Sequence, residues 1–112
     1  MGGAVFSYYT INSTTETMIQ NLEQLKQEVE EENWDKARQT QQQLLSDWDR
    51  ADRIYSYLVD HEQLHDLDIK LHRLTGQLEF EDPKHIIPDL NVSLDLVNNI
   101  RKEEKPRLEN IF

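Results

Sequence analysis

The chain has 112 residues, enough for one domain with one core, and its 37% apolar content suffices where each element buries a single face. Its 22 acidic against 12 basic residues leave a formal charge of −10, which repels phosphate backbones and anionic lipid, so nucleic acid and anionic membrane surfaces are poor partners for the domain. The absence of cysteine excludes disulfide frameworks, Cys-zinc sites and thiol catalysis, and three Gly with three Pro are too few turn signals for a sandwich or barrel.

No stretch approaches the ~18 consecutive apolar residues of a membrane span. Residues Met1 to Tyr9 are nevertheless uncharged, apolar and aromatic. Myristoylation does not account for them, because Phe6 stands where that motif needs Ser or Thr. They read instead as a lead, residues 1–12, left behind a removed signal or anchor segment, with residues 13–112 forming the single domain.

Ser13 and Glu16 form a capping box, which predicts a first helix over 14–31. Ile11, Thr15, Met18, Leu22, Leu25 and Val29 follow at steps of four and three, one helical stripe. Glu30-Glu31-Glu32 oppose the dipole at its end, and Asn33 caps the next helix, predicted over 34–59. That helix has the cleanest seam in the chain: Trp34, Ala37, Gln41, Leu44, Trp48, Ala51, Tyr55 and Leu58. Within the solvated run Gln41-Gln42-Gln43, Gln41 is the polar member of the seam, a register-setting residue.

The leucine stripe Leu64, Leu67, Leu71, Leu74 and Leu78 predicts a third helix over 61–80. Its phase slips by two positions relative to the preceding seam, near Val59 to Gln63, so a turn or kink is expected there, with Asp60 and Gln63 as a capping box. One unbroken helix over 33–79 would run roughly 70 Å, too long for a small bundle. Asp82-Pro83 opens a fourth helix, predicted over 83–105 with a short first turn before Pro88. Leu90, Leu94, Val97 and Ile100 carry its apolar face, and Pro106 is expected to end it before an apolar tail of Leu108, Ile111 and Phe112. The fold expected is all-α, an antiparallel up-down four-helix bundle.

The most chemical-looking motif is His61-Glu62-Gln63-Leu64-His65, a literal match to the zinc-protease pattern in which two His one turn apart bind metal and the Glu activates water. The pattern fixes only three positions, and the expected strand and third ligand are missing. Asp68 and His72 extend the row, but on a straight helix His61 and His72 lie about 16 Å apart and cannot share an ion. Glu62 and His65 also match half of a di-iron carboxylate motif, with Asp82 and His85 as a partial echo. Beside a leucine stripe these residues read first as a polar flank. Trp34, Trp48, Tyr55 and Tyr57 fall at seam spacing and read as core rather than as a ligand pocket.

The apolar lead into Tyr8-Tyr9, Asn33-Trp34 with Ala37, Trp48, Asp60-His61-Glu62 and the closing Glu109-Asn110-Ile111-Phe112 resemble domain-of-unknown-function family 4363, small helical proteins from spore-forming Gram-positive bacteria. Members begin with one hydrophobic anchor or signal helix. The resemblance implies an extracytoplasmic domain tethered to the membrane or secreted, with no known activity; a second histidine such as His65 departs from the family pattern.

The leading expectation is therefore a non-enzymatic interaction or scaffold domain, without cofactor or metal. It would bind a protein partner, a membrane protein among the candidates, and homodimerisation is left open. Asp60, His61 and Glu62 are expected to form a structural junction between the second and third helices. The competing expectation is a divalent-metal-binding protein or metal-dependent hydrolase using His61 and His65, with Glu62 as base.

Overall fold

The computed structural model describes the backbone of residues 2–55 and 61–111 and the side chains of residues 14–53 and 62–102. Four helices account for nearly all of it: α1 Gly2–Glu30, α2 Trp34–Tyr55, α3 His61–Leu78 and α4 Pro83–Ile111. Successive helices pack side by side and α4 returns against α1, while α1 and α3, like α2 and α4, face each other across the middle. The molecule measures 47 × 21 × 18 Å, its length set by the two 29-residue helices. This is the expected up-down bundle.

The predicted stripes form its core, joined by Ile86, which they do not include; Ile11 lies outside the described side chains. Met18, Leu22, Leu25 and Val29 of α1 meet Ala37, Leu44, Trp48 and Ala51 of α2, Leu64, Leu67, Leu71, Leu74 and Leu78 of α3, and Ile86, Leu90, Val97 and Ile100 of α4. Trp34 and Leu94, expected in the core, lie at its margin, half buried; Tyr55, Tyr57 and Leu58 lie outside the described side chains. Gln41 is buried in the seam, where its amide donates to the Leu71 carbonyl at 2.7 Å and to Thr75 Oγ1 at 3.1 Å. An apolar residue could not make that cross-link, which fixes α2 against α3 at one level. A second tie lies two turns on, where the Trp48 indole donates to Asp68 at 2.8 Å.

These ties pair 41 with 71 and 48 with 68, so α2 and α3 run antiparallel and one continuous helix through both is excluded. Asp60, with the expected capping box, lies outside the described residues, as does the side chain of His61.

Three helix boundaries differ from expectation. α1 begins at Gly2, so Ser13 lies inside a helix rather than at its cap, and Glu16 is met instead by Arg101 of α4 at 3.4 Å. The capping signal is local, whereas α1 is matched along its whole length by a helix of the same 29 residues. α3 ends at Leu78, two residues early, because the chain turns there through Glu79 to Glu81. α4 runs through Pro106 to Ile111 without the expected stop. It also runs continuously through Pro88. Lys84 and Pro88 are both exposed, so the carbonyl that Pro88 leaves without its usual donor lies on a solvated face. The start of α4 is as expected, with the Lys84 N–H donating to the Asp82 carboxylate at 3.1 Å and Pro83 at the first helical position.

Candidate functional site

Two tight turns share one end of the bundle. In the first, the Asn33 N–H donates to the Glu28 carbonyl at 2.9 Å and the Glu32 N–H to the Val29 carbonyl at 3.0 Å, the paired bonds of a Schellman cap. That cap needs a left-handed residue, and Glu32 fills the place with φ 55°. In the second, Glu79, Phe80 and Glu81 each donate to the carbonyl three residues back, tightening the last turn of α3, and Glu81 is left-handed at φ 51°.

Arg38, on the first turns of α2, ties the start of that helix to the second turn. Its guanidinium lies 2.6 Å from Glu81, 3.7 Å from Glu79 and 3.7 Å from Asp35. The hydrogen bond to Glu81 is the main reason that its pKa is raised above the ordinary arginine value; partial burial opposes this. Even with Arg38 present, residues 28–38 and 77–85 hold eight acids against Lys36, Arg38 and Lys84. This end thus carries half of the formal charge of −10.

Phe80 stands in the middle of this charge with 82% of its surface exposed, while Ile69 and Val92, the other large apolar side chains exposed among the described residues, reach 43% and 40%. Beside it, Gln77, Phe80, Asp82 and His85 line an open, mainly apolar groove of about 500 Å³. Gln77 is held in the groove lining by a hydrogen bond that its amide donates to Asp89, which also faces Lys70 at 3.9 Å. His85 leans on Asp82 at 3.5 Å. Neither Phe80 nor Arg38 is among the candidates that the sequence motifs single out. A signal for Phe80 is nonetheless present: an aromatic between two glutamates, after the leucine stripe has ended and before a helix cap, has no core to enter.

The zinc-protease pattern lies at the other end of α3. His61 opens the helix, and Glu62 and His65 are both exposed on its first turns. Among the described residues, no three His, Asp or Glu side chains gather as a metal would require. Asp68 and His72 are engaged with each other at 3.2 Å, and Asp68 also takes the Trp48 indole. Glu62 and His65 are separated from Asp82 and His85 by most of the length of α3, roughly 20 Å, so the two half-motifs do not combine into a dinuclear site.

The fold and this end define an all-α domain of four antiparallel helices, whose described side chains share one mainly apolar core and whose distinctive surface chemistry lies at these two turns. No curated relative and no solved structure matches the chain. The family described as Domain of unknown function (DUF4363) matches residues 5–111, nearly the whole length, and the chain belongs to that family. Among the described residues no helix is long and apolar enough to cross a membrane.

Proposed function

We propose that this domain is a non-enzymatic interaction or scaffold module, held at the outer face of the membrane by a tether in the full-length protein. The observation that carries the interaction reading is Phe80, a large apolar side chain left in water beside an apolar groove while no leucine among the described side chains is exposed. Burying such a side chain is worth about 1.5–3 kcal/mol, a gain that folding leaves unrealised and a partner can take. Support for the tether and the location comes from the family resemblance. A tether entering at the start of α1 would set the turn end away from the bilayer, by up to the 47 Å length of the bundle.

The test is affinity purification of the full-length protein from solubilised membranes, with elemental analysis of the purified domain alongside. Interaction predicts a defined protein partner and no stoichiometric metal. Stoichiometric zinc that is lost on replacing His61 and His65 would overturn the reading in favour of metal chemistry.

A further inference from the structure

Building on the interaction reading, we infer that the groove beside Phe80 receives a cationic segment of a partner protein, in which an apolar side chain packs on Phe80 and flanking Lys or Arg residues meet the acids of the two turns. The groove supplies the apolar half of this recognition, since Phe80 and the stem of Gln77 offer carbon surface and the edge is polar. The acids supply the other half. Asp82 lines the groove and Glu79 and Glu81 flank Phe80 in sequence, while Glu30, Glu31 and Glu32 stand on the other turn of the same end and Asp35 on the first turn of α2, the helix that Arg38 joins to Glu79 and Glu81.

Charge decides among the occupants such a groove could take. A second copy of this chain would bring an equally acidic end against the first, and an anionic lipid surface would be repelled in the same way. A basic protein segment gains from both the apolar contact and the charge, and the acidic rim would also speed its encounter at low salt. The backbone bears on the same point. Both left-handed residues among the described ones are glutamates of this end, in a conformation where glycine is easier. Local strain of this sort gathers at binding sites, and here it keeps a charge where the easier residue would remove it.

The experiment is a fluorescence-anisotropy titration of the 112-residue chain with a labelled Lys-Leu-Lys-Phe-Lys-Leu-Lys peptide, and with a control peptide in which Glu replaces each Lys. The cationic peptide is expected to bind, more weakly as salt rises, and the acidic one not to bind. Phe80→Ser should weaken binding at least about tenfold, the loss expected from one unburied aromatic contact, and E30Q/E31Q/E32Q should also weaken it. Val92→Ser, at an exposed apolar residue away from the turns, should leave it unchanged. Circular dichroism should show all variants folded, since none of these side chains belongs to the core.

Absence of binding, or binding that Phe80→Ser and Val92→Ser affect alike, would overturn the assignment of this groove. Self-association abolished by Phe80→Ser would overturn the cationic occupant in favour of a second copy. A partner from the membrane purification that is retained by the Phe80→Ser protein would sink the groove as docking surface and leave the broader interaction reading intact.

Discussion

At the scale of single residues, Glu32 and Gly76 are a mismatched pair. Glu32 holds a left-handed backbone that costs an L-residue about 1–2 kcal/mol, where glycine pays nothing. Its carboxylate also lies at the negative end of the α1 dipole. Gly76 sits inside α3 in an ordinary helical conformation, and a Cβ added there would meet nothing within 4 Å. Glu32→Gly and Gly76→Ala are therefore each expected to raise unfolding free energy by about 0.5–1 kcal/mol, read from the urea midpoint at constant slope. A fall in stability for Gly76→Ala would mean that α3 does not continue past that position. If the turn end is a recognition surface, Glu32→Gly should also weaken the cationic peptide while it stabilises the fold, the trade-off common to residues kept for binding.

At the scale of elements, α2 and α3 are joined by particular side chains as well as by leucines. Trp48 is fully buried and its indole reaches Asp68, so Trp48→Ala removes both a large packed volume and a tie between helices. The expected cost is about 3–5 kcal/mol, measured by denaturant unfolding; a cost below about 1 kcal/mol would contradict a core centred on that ring. The stripes that place Trp48 are legible in the sequence because heptad spacing is a property of one helix. So is Asp82-Pro83, where cap and first turn are adjacent residues. Gln41 is legible as an exception to its seam, but its partners Leu71 and Thr75 come from packing and leave no mark on its neighbours. The start of α1 is not legible, because the Ser13–Glu16 pattern is a local preference of about 1 kcal/mol, which a long antiparallel partner overrides. The turns are hidden for a related reason: a left-handed glutamate announces nothing, whereas the glycine that usually fills that place would.

On the scale of the whole molecule, the bundle has two unlike ends. One carries the two tight turns, Arg38, Phe80 and half the formal charge; the other carries the start of α3 with His61, Glu62 and His65. The motif that attracts attention in the sequence and the surface that stands out in the structure therefore lie apart, and a reading of function has to choose between them. The turns are the better choice on physical grounds, because an unburied aromatic in a charged rim is a contact that lacks its complement. The most direct test is amide shift mapping by NMR of the isotopically labelled chain, titrated separately with the Lys-Leu-Lys-Phe-Lys-Leu-Lys peptide and with zinc. If the turns are the recognition surface, the peptide shifts amides of residues 30–38 and 77–85 and leaves residues 61–69 unmoved, and zinc produces no saturable, tight site at His61 and His65. Peptide shifts confined to residues 61–69, or a tight zinc site there with the turns silent, would contradict it.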